Sequence, residues 1–215
     1  MLDAVSRIDL MDWISGLGTV AFTFSGYLVG VKKRLDLLGI LIVALLTAIG
    51  GGIIRDVMVH RVPLVFYDYT NVVIISVTLL LSWIAGLHRR ESPVFHKMFI
   101  IADSLGLVAF SITGAQVGLM FELNAFGVVL LGFITAVGGG VVRDMMVNDV
   151  PFILHEDFYG TVAILVAGGL FVLDQAGRVN LLTLWSLFWV GMAVRMVAHW
   201  RELTLPKIGQ AGDKG

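Results

Sequence analysis

The segment Thr47-Ala-Ile-Gly-Gly-Gly-Ile-Ile-Arg-Asp56 decides the fold of this chain, because it returns almost unchanged as Thr135-Ala-Val-Gly-Gly-Gly-Val-Val-Arg-Asp144. The two copies are 88 residues apart. Upstream, the same offset relates Gly18-Thr-Val-Ala-Phe-Thr-Phe-Ser-Gly26 to Gly106-Leu-Val-Ala-Phe-Ser-Ile-Thr-Gly114. A constant register across separate blocks indicates an internal duplication rather than a shared apolar composition.

The composition is that of a membrane protein. Hydrophobic residues make up 58% of the chain and charged residues 14%, with a mean hydropathy of +0.92. Soluble domains are about half apolar and a quarter charged. The net charge of −1 gives no basic excess for nucleic acid. Cysteine is absent, which excludes disulfides and thiolate sites.

Seven apolar runs approach the roughly 20 residues that a helix needs to cross a bilayer. They cover approximately residues 13–31, 37–59, 71–87, 99–121, 126–147, 159–173 and 181–199. The sixth run is the weakest because it is short and contains Gly168 and Gly169. Backbone amides find no water at that depth, so continuous helices are expected. The fold class predicted is an all-α membrane protein with seven transmembrane helices.

The loops differ in their content of Lys and Arg. Nine such residues fall on one side of the predicted spans, including Lys33, Arg89 and Lys97, whereas only Arg7, Arg61 and Arg178 fall on the other. Cytoplasmic loops carry the excess of positive charge in membrane proteins. We therefore predict a multi-pass protein with its N-terminus outside and its C-terminus in the cytoplasm.

Each copy of the repeat contains three spans, so the second copy must enter the membrane from the opposite side. The prediction is one membrane domain with a 3+3 inverted-topology repeat: repeat one at about 10–90, repeat two at about 98–178, a seventh helix at about 181–199 and a disordered tail at about 205–215. Inverted repeats are typical of transporters and channels. The alternative is a purely structural bundle made by duplication.

Two glycine triplets lie inside the second and fifth spans. Three successive glycines leave the carbonyls unshielded and the helix easy to bend, which predicts a kink or a break that lines an aqueous path. Close packing between helices is the alternative. The glycines are Gly50, Gly51, Gly52, Gly138, Gly139 and Gly140.

Each triplet is followed by an arginine and an aspartate, Arg55-Asp56 and Arg143-Asp144. An ionisable residue within a span is a functional candidate because it is costly there. Neighbours on a helix point about 100° apart, so no ideal local bridge is expected within either pair. From their depth, Asp12 is the partner predicted for Arg55, and Asp103 for Arg143. The alternative is that these charges cap helix ends by snorkelling.

Polar side chains in the first and fourth spans are further candidates for the path: Thr19, Thr23, Ser25, Ser111, Thr113 and Gln116. The hydroxyls either line that path or return a hydrogen bond to their own helix. The five histidines show no metal-ligand spacing, and no nucleotide-binding loop or nucleophile elbow is present. We therefore predict no metal, no cofactor and no enzymatic activity.

The two Gly-Gly-Gly-x-x-Arg-Asp blocks, with Phe22-Thr-Phe-Ser-Gly26 and Phe110-Ser-Ile-Thr-Gly114, resemble the prokaryotic branch of the trimeric intracellular cation (TRIC) channels. The resemblance implies a homotrimer in the lipid of the bacterial plasma membrane. It also implies a pore within each protomer, beside glycine-kinked helices two and five, that passes monovalent cations, chiefly K⁺. Some bacterial relatives are connected with uptake of small amino acids such as glycine.

Three functions follow from these patterns. The leading hypothesis is a passive K⁺ channel in which helix carbonyls and hydroxyls replace water of hydration. The alternative is a secondary transporter for a small amino acid such as glycine, in which an arginine holds the carboxylate. A scaffolding bundle without permeation is the third.

Overall fold

The structure is a computed structural model that describes residues 2–87, 93–154, 158–201 and 203. This part of the chain contains seven α-helices. They are α1 (Leu2–Lys32), α2 (Leu37–Met58), α3 (Thr70–Ile84), α4 (Pro93–Met120), α5 (Ala125–Met146), α6 (Tyr159–Gln175) and α7 (Leu181–Trp200). The predicted all-helical fold is confirmed, and the tail predicted to be disordered lies outside the described residues.

Five of the described helices are long and apolar enough to cross a membrane, whereas α3 and α6 are shorter. Many large apolar side chains face outward, among them Leu80 at 58% exposure and Trp189 at 60%. Patches of this kind are uncommon on soluble monomers and suit a protein surrounded by lipid.

The helix boundaries repeat along with the sequence. Asp36 caps α2 by accepting from Gly39 N at 2.7 Å, and Asn124 caps α5 by accepting from Gly127 N at 2.9 Å. A carboxylate or amide oxygen at this position satisfies one of the free amides of the first helical turn. The caps are 88 residues apart, so the duplicated sequence starts its second helix in the same way in both halves.

Helices α2 and α5 cross at the glycine triplets. A Cβ atom added to Gly51 would lie 2.1 Å from the carbonyl oxygen of Thr135, and one added to Gly139 would lie 2.1 Å from that of Thr47. Because Gly51 meets Thr135 while Gly139 meets Thr47, the two helices run antiparallel. Only residues without a side chain allow backbones to approach so closely.

Both helices are continuous through their triplets, so the chain does not break there, and the predicted kink stays a prediction. The backbone amides keep their helical partners there, and Gly51 and Gly139 serve close packing, which was the alternative reading of these residues.

Helices α1 and α4 cross in a reciprocal way as well. Gly18 lies against Phe110, and Gly106 lies against Phe22. The two phenylalanine rings meet edge to face with centroids 5.1 Å apart. These four positions also exchange under the 88-residue offset, so a local two-fold relation runs through the centre of the core.

The third helices of the two halves pack differently. Helix α6 lies against both α4 and α5 and buries six residues, including Tyr159, Val162 and Leu170. Helix α3 lies mainly against α1 and buries only Ile75 and Ser82. Helix α7 packs on α6 and α4 and adds cover to the second half. The first half is therefore more open than the second.

Candidate functional site

A cavity of about 280 Å³ lies between the first half and helices α4 and α5 of the second half. Its lining runs from Asp12 and Arg61 inward to Ala48 and Thr135, close to the crossing of α2 and α5. The polar side chains that line it are those of Asp12, Ser15, Thr19, Arg55, Asp56, Arg61, Asn71, Thr113, Gln116 and Thr135. The cavity therefore leads from the end of the bundle to its centre.

Arg55 and Asp56 form one side of the cavity and bond to each other. Arg55 Nε donates to Asp56 Oδ1 at 2.9 Å, and Arg61 Nη2 donates to the same oxygen at 2.5 Å. The amide of Leu64 donates to Asp56 Oδ2 at 3.1 Å. The expectation that adjacent residues would form no local bridge is wrong, because the long arginine side chain curls back to reach its neighbour.

Arg143 and Asp144 repeat this geometry in the second half. Arg143 Nε donates to Asp144 Oδ1 at 2.8 Å, and the amide of Phe152 donates to Asp144 Oδ2 at 2.8 Å. Each arginine also places Nη2 beside the third glycine of its triplet: 3.7 Å from a Cβ added to Gly52 and 3.6 Å from one added to Gly140. The two guanidinium groups therefore have equivalent local positions.

The partners of the two arginines differ beyond this shared core. Arg143 Nη1 donates to Asp103 Oδ1 at 2.5 Å and to Ser25 Oγ at 2.6 Å, so Arg143 has the α4 partner expected from its depth. No ion pair joins Arg55 to Asp12 in the described part of the chain; both line the cavity instead.

The 88-residue offset shows why the halves differ. Ser15 occupies the position of Asp103, and Thr113 that of Ser25. Arg55 therefore has no carboxylate at the place where Arg143 has one.

Aromatic rings seal the second half. The guanidinium carbon of Arg143 lies 4.8 Å from the ring centroid of Phe99. Phe152 packs edge to face on Phe99 at 5.7 Å and on Tyr159 at 5.4 Å. The guanidinium carbon of Arg195, on α7, lies 5.1 Å from the ring of Tyr159. The position of Tyr159 is taken in the first half by Asn71, which lines the cavity.

A surface ion pair lies over the sealed half. Lys33, after α1, and Asp149, after α5, are 2.6 Å apart and are both partly exposed. The offset replaces this pair by Arg61 and Phe121 in the other half. Arg61 turns inward to Asp56, so the mouth of the cavity has no such bridge.

The structure divides the predicted path residues into two groups. Those lining the cavity are Asp12, Thr19, Gly52, Arg55, Asp56, Thr113 and Gln116. The others lie in the helix crossing, in the sealed half or against neighbouring helices: Gly50, Gly51, Thr23, Ser25, Asp103, Ser111, Gly138, Gly139, Gly140, Arg143 and Asp144. A continuous path through both groups stays a prediction.

The hydroxyls have several kinds of partner. Thr23 donates to Thr19 O in its own helix at 2.6 Å, and Ser111 donates to Ala163 O on α6 at 2.6 Å. Thr19 donates to Ser15 O at 3.0 Å and to Asn71 Oδ1 at 3.1 Å. Only the last of these bonds joins two polar side chains at the cavity wall.

Sequence reasoning missed three side chains of this region. Arg195 is a charge inside the seventh span, so the argument used for Arg55 and Arg143 would also have found it. Asn71 and Ser15 carry no signal alone, but they differ from Tyr159 and Asp103 under the repeat offset. Comparing the copies position by position would have marked both.

Three comparisons place this architecture among known proteins. The family model described as glycine transporter matches residues 12–87 and again residues 100–175. The UPF0126 membrane protein of Deinococcus radiodurans is 35% identical over 80% of each chain. The UPF0126 inner membrane protein YadS of Escherichia coli K12 is 34% identical over 73% of this chain and 75% of that protein.

Solved structures agree with these relatives. One solved TRIC cation channel gives a TM-score of 0.78 at 32% identity, covering 91% of this chain and 96% of that one. The TRIC orthologue of Rhodobacter sphaeroides gives 0.82 at 26% identity, covering 90% and 98%.

Proposed function

Because this chain belongs to the glycine transporter family, whose solved relatives are TRIC cation channels, we propose that it passes monovalent cations, chiefly K⁺, through a pore within each protomer. The single observation that carries the proposal is the polar cavity that reaches the centre of an apolar bundle. Charged side chains at that depth are costly unless they serve a function.

The proposal includes a 3+3 inverted repeat in the membrane, completed by α7. Two observations support it: α2 and α5 cross antiparallel with exchanged contacts, and the family model matches twice with an offset of 88 residues. In this arrangement the cavity faces the outside, the N-terminus is outside and the C-terminus is in the bacterial cytoplasm. The names of the solved TRIC relatives support a homotrimer.

A cation enters past oxygen ligands rather than past bare positive charge. Asp12 and Asp56 line the cavity, and Asp56 offsets Arg55 and Arg61 through direct bonds. Further oxygens come from Thr19, Asn71 and Gln116. Together they supply the carboxylate, hydroxyl and amide ligands that hard cations prefer.

The cavity ends at the crossing, and beyond it the cluster of Arg143 and Asp103 is buried. This conformation is therefore a closed state, and permeation requires the aromatic and charged cluster around Arg143 to separate. Constrictions formed by side chains are one way in which channels are gated.

Planar bilayers with purified protein test the proposal. We expect unitary currents in KCl, and we expect Gly52→Leu to reduce them strongly, because a Cβ there faces the cavity and meets only Arg55 Nη2 at 3.7 Å. The matched control is Gly168→Leu, at another helical glycine with room, where the nearest atom lies 3.9 Å from an added Cβ. Absence of unitary currents from well-folded protein would contradict the channel.

A second candidate function is transport of a small amino acid. It is favoured by two arginines in the cavity, Arg55 and Arg61, which attract carboxylates more readily than cations. A carrier would give slow, saturable uptake of labelled glycine into proteoliposomes and no unitary currents.

A further inference from the structure

We propose that Arg55, Ser15 and Thr113 form a binding site for the carboxylate group of a small ligand that enters through the cavity. The inference rests on the proposed role of this cavity as the solute entrance, and it deepens the second candidate function by assigning the carboxylate to the first half. The argument uses the second half of the molecule as an internal template.

The template begins with the two guanidinium groups. Arg55 and Arg143 make the same bond from Nε to the following aspartate, at 2.9 and 2.8 Å, and both place Nη2 beside the third glycine. The aspartates are held in turn by equivalent amides, those of Leu64 and Phe152. The two arginines are therefore oriented alike by the backbone and by their neighbours.

What differs is the group that faces Nη1. In the second half a carboxylate oxygen of Asp103 lies 2.5 Å from Arg143 Nη1, and Ser25 Oγ lies 2.6 Å from the same nitrogen. In the first half the described chain supplies no hydrogen-bond partner for the Nη atoms of Arg55. The place of Asp103 is held by Ser15, whose shorter side chain carries no charge.

The space left by the missing carboxylate is part of the cavity. Ser15, Thr113 and Arg55 all line it. A ligand carboxylate at this place would accept from the guanidinium and from Ser15 Oγ. Thr113 Oγ1 donates to Phe110 O at 3.3 Å, so it adds a bond only when its hydroxyl turns to the ligand. Charge-assisted bonds from arginine to a carboxylate are among the strongest hydrogen bonds in proteins.

The side chain of Gln116 favours a particular group on the ligand that carries the carboxylate. The side-chain oxygen of Gln116 is buried and accepts no hydrogen bond from the described residues, and Gln116 lines the same cavity. A buried acceptor of this kind favours a ligand with its own donor. A cavity of about 280 Å³ admits a small molecule, and a carboxylate joined to a hydrogen-bond donor is the chemistry of a short amino acid in its zwitterionic form.

Titration calorimetry on the purified full chain tests the site with three probes: glycine, acetate and glycinamide. We expect glycine and acetate to bind and glycinamide, which has an amide in place of the carboxylate, to bind at least about tenfold more weakly. Glycine binding more tightly than acetate would add the amine to the recognised groups, and equal binding would assign the recognition to the carboxylate alone. Both results support the site.

The decisive variant replaces one residue of the first half by the residue at the equivalent position of the second half. Ser15→Asp installs the carboxylate that the second half already has, and we expect it to weaken glycine and acetate binding by at least about tenfold. Ser15→Asn is the matched comparison, since asparagine fills the same space as aspartate without the charge, and we expect it to weaken binding less than Ser15→Asp does. Arg55→Gln should also remove binding, and Asp56 keeps Arg61 as a partner in that variant.

Thermal unfolding of each variant separates loss of the site from loss of the fold. Equal affinity for glycine and glycinamide, or wild-type affinity in a folded Ser15→Asp protein, would overturn the inference. Currents in KCl without binding of glycine or acetate would overturn the carboxylate site and leave the channel intact. Binding of glycine or acetate without currents would support the carboxylate site and contradict the channel.

Discussion

Asp103 shows how much a single carboxylate can matter inside this protein. It and Arg143 are 1% and 0% exposed, and they bond to each other. We expect Asp103→Asn to lower the free energy of unfolding by about 1–3 kcal/mol, because Arg143 keeps Asp144 but loses one of its two buried carboxylate partners. Chemical denaturation in detergent, followed by tryptophan fluorescence, measures the loss.

The surface pair of Lys33 and Asp149 is the control for that experiment. Both side chains are partly exposed, and exposed ion pairs contribute about 0–1 kcal/mol. Asp149→Asn should therefore change the free energy of unfolding by less than about 1 kcal/mol. Equal losses in the two variants would mean that burial does not set the strength of the Arg143 pair.

The ion-pair partner of an arginine could be predicted where the depth of the residue in the membrane determined it, but not where the length of the arginine side chain did. The depth of Arg143 pointed to Asp103, which lies against it. The bond between Arg55 and Asp56 was not foreseen, because the angle between neighbours on a helix ignores the flexibility of arginine. The sequence also gives no sign that Arg61 turns inward to the same carboxylate.

At the scale of the helices, the glycine triplets have unequal roles. A methyl group at Gly51 meets the carbonyl oxygen of Thr135, whereas one at Gly52 meets only the end of the Arg55 side chain. We expect Gly51→Ala to destabilise the protein by about 1–3 kcal/mol through overpacking. Gly52→Ala should be neutral or stabilising by up to about 1 kcal/mol, since alanine favours a helix.

The same denaturation measurement compares these two variants. A double variant with Gly139→Ala adds a further test, because Gly139 makes the reciprocal contact and the two costs should not add. If Gly51→Ala were as stable as Gly52→Ala, α2 and α5 would not be in close contact at this point.

The number and order of the helices could be predicted because the length of each apolar run and the 88-residue offset can be read directly along the sequence. Continuity through the triplets could not, since a run of glycine permits both a bend and a close crossing. The choice depends on whether another helix supplies backbone at the right distance, as Thr47 and Thr135 do here. The looser packing of α3 compared with α6 is likewise visible only in three dimensions.

At the scale of the whole molecule, the orientation proposed from the positive charges can be measured directly, because the chain contains no cysteine. We expect Asp68→Cys, in the exposed loop after α2, to react with a membrane-impermeant maleimide in intact cells. Lys97→Cys, exposed at the start of α4, should react only after permeabilisation. The reverse pattern would place the cavity on the cytoplasmic side and invert the proposed topology.

Substitutions at repeated positions explain why the two halves of the molecule differ in packing. Asp103 and Tyr159 belong only to the second half, and α7 adds Arg195 beside them. Ser15 and Asn71 leave the matching region of the first half open. A few substitutions and one added helix thus leave a cavity at one end of a duplicated bundle and a buried cluster at the other.

The exchanged contacts at the helix crossings carry a consequence for ancestry. At the crossing of α2 and α5, the glycine of each helix meets the threonine of the other. Such a contact is self-complementary, as in a dimer of identical subunits. One half of this chain contains both sides of it, Thr47 with Gly51 or Thr135 with Gly139. On the proposed inverted topology, a three-helix ancestor with this pair would have been able to associate with a copy of itself inserted upside down, and gene fusion would have made that association permanent.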